Sequence, residues 1–170
     1  MRIMETEFSG VDIVEFFSAT DDRGKFLKPW VSGFLNERFG EVSETYFSES
    51  KSGAIRGLHY QKGEFAQKKF VICLSGKIRD IALDIRPQSP TYGEIFQMTL
   101  ESNEARGIII PEGFAHGIYA YENSIVANFC DKPYQPDMES GYNVNSFLEL
   151  SNLDIRYFSD KDRALPCWGA

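Results

Sequence analysis

Basic residues are in deficit: 18 Lys and Arg face 25 Asp and Glu, a net charge of −7 over 170 residues. Such a chain has no cationic surplus to displace the counterions of a phosphate backbone, which argues against a nucleic-acid partner. It still allows an anionic small ligand held by a few placed Arg and Lys. Long apolar runs are missing as well. No stretch approaches the roughly 20 residues that span a bilayer, and the N-terminal MRIMETEF lacks the basic-then-apolar order of a signal peptide. No membrane role and a cytoplasmic location are therefore expected. The cysteines Cys73, Cys130 and Cys167 are odd in number and form no C-x-x-C pair, which argues against a disulfide framework and fits a reducing compartment. Histidine is scarcer still, with only His59 and His116. Metal sites draw on several ligands at short spacing; no H-x-H, H-E-x-x-H or paired cysteine occurs. No metal and no cofactor are expected.

What is present suits a folded core. The chain is 42% hydrophobic, with 14 glycines and 7 prolines punctuating short runs. Its length fits one domain over residues 1–170, and no repeat, linker or low-complexity tract interrupts it. From about Tyr46 onward the runs read as successive strands. Residues 69–74 (KFVICL) are mostly apolar and stop at Ser75-Gly76. Residues 77–85 (KIRDIALDI) alternate, with Ile78, Asp80, Ala82 and Asp84 on one face and Arg79, Ile81, Leu83 and Ile85 on the other. Further strands are expected over 93–100, 106–110, 116–121 and 124–130, separated by turn residues. Many short strands at regular spacing predict a mainly β protein, an antiparallel sandwich or barrel. Helix is expected only over 31–39 and in a short piece near the C-terminus.

Polar residues within such strands carry the chemical information, because burying them costs free energy unless they are paired. In Arg56-Gly57-Leu58-His59-Tyr60-Gln61, strict alternation puts Arg56, Leu58 and Tyr60 on one face and His59 on the other. His59 is either a general base, the natural role of imidazole near neutral pH, or a structural group bonded to backbone. Lys69 opens its strand as a ligand cation or a solvated edge residue, and Arg23 sits in a turn, Asp21-Asp22-Arg23-Gly24. Asp80 and Asp84 form either a carboxylate cluster or a solvent face. His116 begins a strand after the Pro111-Glu112-Gly113 turn.

Together these segments are specific. IRGLHYQ, QKKFVICLSGKIRDIALDIRPQSPTYGE, IIIPEGFAHGIYA and SDKDRALP, in that order, resemble the nucleotide-sugar epimerases typified by dTDP-4-dehydrorhamnose 3,5-epimerase. The resemblance runs over about residues 21–166. It implies a cupin-type jelly roll with short peripheral helices, a homodimer and no metal. The implied substrate is a nucleoside-diphosphate 4-keto-6-deoxyhexose, epimerised by removing and returning a proton at C3, C5 or both. That reaction needs a base, a group to stabilise the enolate oxygen, and an acid on the opposite face. By the matching motifs His59 is the base, Asp162 its dyad partner, and Lys69 the enolate stabiliser. Arg56 and His116 contact substrate, Arg56 at the pyrophosphate. Arg23 reaches the phosphate from a partner subunit, with Phe26 near the nucleoside.

The sequence also departs from the family pattern. The family's acid is a tyrosine on the strand after the second His motif, and the matching position here is Phe129; sliding the gap puts Asn128 there. Tyr119 and Tyr121, which share a face under period 2, and Tyr134 are the candidate replacement acids. Single-site epimerisation at C3 is the other expectation from the missing tyrosine. Glu44-Thr45-Tyr46-Phe47-Ser48 stands where the family carries Q-x-N-x-S. An ionised Glu44 can only accept hydrogen bonds, which favours a base edge presenting donors, as guanine or cytosine does. Two other readings of the same scaffold are a keto-sugar isomerase and a nucleotide-sugar binding protein without turnover.

Overall fold

The structure, a computed structural model, describes residues 1–169. Strands are numbered along the chain. One antiparallel sheet has the spatial order β1 (Arg2–Glu5), β2 (Asp12–Glu15), β10 (Arg106–Ile110), β7 (Lys69–Ser75), β12 (Ser124–Cys130) and β5 (Glu44–Ser50). The other has the order β13 (Glu139–Gly141), β6 (Ile55–Gln61), β11 (Phe114–Ala120), β8 (Lys77–Asp84) and β9 (Ile95–Glu101). A separate hairpin, β3 (Phe17–Asp21) and β4 (Gly24–Lys28), stands off these sheets. Two short helices, α1 (Ser32–Leu35) and α2 (Asp160–Arg163), complete the elements used below. The two sheets pack face to face as the jelly roll of a cupin barrel.

Alternation along the strands creates three apolar layers. Between the sheets lie Val71 and Cys73 of β7, Ile78 and Ala82 of β8, Ile108 and Ile110 of β10, and Val126 of β12. The outer face of the six-stranded sheet, with Phe70, Ile72 and Ile109, is covered by Leu35 and Phe39 from α1 and the turn after it. The outer face of the five-stranded sheet, with Leu58, Ile81, Leu83 and Tyr119, is covered by Val144, Phe147 and Leu150. KFVICL is apolar on both faces because both are buried. Each fully buried Leu, Ile or Phe side chain contributes about 1.5–3 kcal/mol of transfer free energy.

The expected strands from Tyr46 onward are found within a residue or two. Strands β1, β3 and β4 were not expected; at four or five residues each they carry too little alternation to read. The helix expected over 31–39 spans only Ser32–Leu35. The largest correction concerns β8. Its face of Ile78, Asp80, Ala82 and Asp84 is the interior of the sandwich, not solvent, and both carboxylates are fully buried. They form no cluster because each has its own partner. Asp80 meets His116, whereas Asp84 accepts from Arg86, Ser89 and Thr91 at 2.6–2.9 Å. Burial alone would raise the Asp84 carboxyl, but those bonds outweigh it and hold it far below the ordinary carboxylate range. Arg86 also donates to the Ser9 carbonyl and lies 4.5 Å from the Phe114 ring centroid. The DIRPQSPT stretch is thus a clamp that closes one end of the sandwich.

Candidate active site

Strands β5, β7 and β12 of one sheet and β6 and β11 of the other face each other across a cavity of about 790 Å³. A second, of about 420 Å³, adjoins it, and Tyr46, His59 and Lys69 line both. A volume of this order suits a small-molecule ligand.

His59 enters from β6. Its Nε2 lies 2.7 Å from Asp162 Oδ1. An ionised carboxylate can only accept, so Nε2 carries the proton and Nδ1 keeps the lone pair of a base. Asp162 comes from α2, where the Ser159 side chain caps the first turn by accepting from the Asp162 amide. That cap fixes the backbone so that the carboxylate points back to β6, where it also accepts from the Gly57 amide at 3.2 Å. Asp162 is 4% exposed. Burial would raise its carboxyl, but the His59 bond and charge, the Gly57 amide and Ser159 together hold it below the ordinary range. The ionised acceptor that orients the imidazole is thereby maintained.

Gly57 explains part of the RGLH and AHG motifs. Its φ is +116°, and a Cβ there would meet Gly117 Cα and the His116 carbonyl at 2.6 Å. At this close crossing the β6–β11 register shifts between His116 and Ile118. The shift corrects the expected faces: Arg56 lines the larger cavity together with His59 instead of pointing away from it. Arg56 donates to Ser50 Oγ at 2.8 Å and to the Glu49 carbonyl at 2.7 Å. His116, directly across the ladder from His59, is 7% exposed and bonds Asp80 Oδ2 through Nε2 at 2.9 Å. The site therefore holds two His–Asp pairs. Asp80 was not expected as a partner of His116, although both sit on inward positions of adjacent strands.

Lys69 lies at the start of β7, facing inward with Val71 and Cys73. Burial lowers its ammonium below the ordinary lysine value, while Cys130, Glu139, Asp80 and Glu44 offset that in part. Larger cationic side chains gather around the main cavity. Arg56, Lys69, Arg156, Lys161 and Arg163 line it, against the single carboxylate of Asp162. Arg156 and Arg163 were not singled out in the sequence: Arg156 lies outside the matching segments, and Arg163, although within SDKDRALP, stands beside Asp162 with nothing in the sequence to show that it faces the same cavity.

The remaining expected residues separate into two groups. Tyr134 and Glu44 border the second cavity. Tyr134 donates its hydroxyl to Glu139 Oε2 at 2.8 Å, and Glu44 accepts from the Tyr134 amide at 2.8 Å. Phe129, Tyr119 and Tyr121 are absent from both cavity linings. Phe129 faces outward from β12, against Trp30 and Phe70 at centroid distances of 6.1 and 5.8 Å. The inward position is Asn128, 4% exposed and lining the cavity. Tyr119 donates to the Asp154 carbonyl at 3.0 Å on the outer face of β11. The Tyr121 hydroxyl accepts from Arg79 at 2.6 Å beside it. Period 2 correctly put these two tyrosines on one face; that face is simply the outer one. Arg23 and Phe26 sit on the β3–β4 hairpin, 90% exposed at the Arg23 side chain and 55% at Phe26. They line neither cavity within this chain. No cluster of three His, Cys, Asp or Glu side chains placed to hold a metal occurs among the described residues. No helix among them is long and apolar enough to cross a membrane.

Comparison with known proteins adds to this geometry. A family model described as dTDP-4-dehydrorhamnose 3,5-epimerase matches residues 5–169. The dTDP-4-dehydrorhamnose 3,5-epimerase of Methanothermobacter thermautotrophicus is 35% identical over 170 aligned residues, covering 95% of this chain and 91% of that protein. The crystal structure of the Sulfolobus tokodaii enzyme of the same name superposes with a TM-score of 0.89 at 32% identity, covering 98% of this chain and 96% of that one. A dTDP-6-deoxy-D-glucose-3,5-epimerase from Legionella pneumophila, solved in complex with dTDP-4-keto-L-rhamnose, superposes with a TM-score of 0.86 at 31% identity, covering 98% and 92%.

Proposed function

The chain belongs to the dTDP-4-dehydrorhamnose 3,5-epimerase family, and from that membership we propose its substrate, its working residues and its assembly. It is an isomerase, an epimerase of nucleoside-diphosphate 4-keto-6-deoxyhexoses of the kind used in deoxysugar biosynthesis. The observation that carries the proposal is the 2.7 Å pair of His59 and Asp162 in a cavity that also holds Lys69. His59 Nδ1 takes the proton from a carbon beside the C4 ketone. That C–H is acidic only because its electron pair can move onto the ketone oxygen, and the Lys69 ammonium stabilises the oxyanion that forms. Asp162 holds the imidazole in orientation and stabilises its charged form.

The diphosphate is held by the cationic rim of Arg56, Arg156 and Arg163, whose charges stand out against a chain of net charge −7. dTDP is the nucleotide carried by the relatives whose names print one. The fit of His116 to substrate contact rests on its place across from His59. The exposed hairpin with Arg23 and Phe26 supports a homodimer in which each hairpin reaches the partner's cavity.

Replacing the base tests the reading. His59→Ala removes the only cavity imidazole that is paired to Asp162, so turnover of dTDP-4-keto-6-deoxyglucose is expected to fall below detection while dTDP affinity stays within a fewfold. Turnover that persists at more than a tenth of the wild-type rate would contradict the assignment.

A further inference from the structure

Inversion at carbon needs two groups on opposite sides of the reacting atom, one to take a proton and one to return it. His59 stands on β6 in the five-stranded sheet, and the C-terminal segment that also lines the cavity is tied to the start of that strand at Tyr157, whose carbonyl accepts from the Ile55 amide at 3.0 Å; the wall opposite His59 is therefore the six-stranded sheet. That wall gives the main cavity Tyr46 and Ser48 from β5, Lys69 from β7, and Val126 and Asn128 from β12. Val126 has no exchangeable proton, and the Asn128 amide is far too weak an acid. Lys69 is occupied by the developing oxyanion. Ser48 is an aliphatic alcohol, much less acidic than a phenol, and borders the main cavity only. Tyr46 alone joins His59 and Lys69 in lining both cavities.

We propose that Tyr46 is the proton donor, delivering its phenolic proton to the face of the substrate carbon opposite His59. The proposal deepens the epimerase reading above and rests on it. Three observations support it. The other tyrosines considered are committed: Tyr134 to Glu139, Tyr119 to the Asp154 carbonyl and Tyr121 to Arg79. Tyr46 is 38% exposed and lines both cavities, and a phenol carries its proton at neutral pH. Finally, Tyr46 lies directly opposite Asn128 in the β5–β12 ladder. Cross-strand partners on one face have Cβ atoms about 5 Å apart. The pattern this chain resembles has an amide on the first strand and a phenol on the second; here the phenol is on β5 and the amide on β12. The two side chains have changed places across one rung of the sheet.

The step balances. His59 Nδ1 takes the proton as the C–H electron pair moves to the ketone oxygen. The enolate then re-forms the ketone as its carbon takes the proton of Tyr46 Oη from the other face. Imidazolium and phenolate remain, and exchange with solvent returns both to their starting states.

Proton NMR in D2O with dTDP-4-keto-6-deoxyglucose separates removal from inversion. In Tyr46→Phe, His59 still removes and returns a proton on its own face. Exchange for deuterium beside the ketone is therefore expected to persist, while inverted product forms at least about 100-fold more slowly. Adding Asn128→Tyr to Tyr46→Phe is expected to restore inversion tenfold or more. Inversion by Tyr46→Phe at the wild-type rate, or loss of exchange and inversion in equal measure, would overturn the role of Tyr46. Absence of exchange in the wild-type protein would instead overturn the epimerase reading, and this proposal with it.

Discussion

Asp162 is a buried carboxylate aimed at the His59 imidazole, and its proposed work is to orient that base and stabilise its charged form. Asp162 keeps its charge because His59, Gly57 and Ser159 compensate burial. Asp162→Asn keeps the shape but presents an amide that cannot stabilise imidazolium. We expect kcat to fall about a hundredfold or more with KM little changed, read from initial rates. With Lys69 as the proposed oxyanion stabiliser, that residue is expected to set the alkaline limit. Burial lowers its ammonium, so activity that needs the cation should decline with rising pH before the ordinary lysine value near 10.4 is reached. Tyr46, raised by burial, stays protonated beyond that point and does not limit first. A pH–rate profile of Lys69→Arg should lose this limb, since guanidinium does not deprotonate in that range. His59, Lys69, Asp162 and Arg56 were legible because each lies in an ordered motif. Tyr46 was not, since its meaning comes from a neighbour 82 positions away across the ladder, a relation that only register reveals.

Elements place these residues through a few close contacts. The β6–β11 crossing at Gly57 and Gly117 brings Arg56 and His59 to one side, a result that strict alternation misses because the register shifts there. Gly57→Ala adds a Cβ at 2.6 Å from backbone and forces a left-handed φ on an L-residue. A loss of about 2–4 kcal/mol in urea unfolding is expected, with activity falling in parallel. The Asp84 clamp gives a prediction with a defined pH sign. Its folded carboxyl lies below the unfolded value near 3.9, so its contribution is full above that value and is lost as pH falls through the folded one. Asp84→Asn should cost about 3 kcal/mol at pH 7, because it leaves Arg86 without its charge partner. The gap to wild type should narrow as unfolding is measured at progressively lower pH below 4. The alternation of β8 was visible in sequence, but which face was interior was not: aspartates read as solvent-facing unless their partners, distant in sequence or bent back by a turn, are known.

At the scale of the whole molecule, an acidic chain gathers five of its 18 Lys and Arg side chains around one cavity, where an anionic ligand would enter. Strand-by-strand reading recovered the sandwich from Tyr46 onward, whereas the sheet order and the N-terminal strands emerge only from long-range pairing. The hairpin β3–β4 exposes Phe17 and Phe26 with Lys28 lying over both rings at 5.9 Å. Apolar surface of this kind on a projecting element suits contact with a second copy. Sedimentation of the wild type is expected to give a dimer, and Phe26→Asp a species of half the mass with reduced turnover.

The central claim is that this cavity inverts a carbon beside a ketone by moving a proton from one wall to the other. Its most direct measurement is proton NMR of dTDP-4-keto-6-deoxyglucose incubated with the wild-type protein in D2O. The account predicts loss of a signal at a carbon flanking the ketone, together with new resonances of a sugar inverted at that carbon. An unchanged spectrum, with dTDP demonstrably bound, would contradict it.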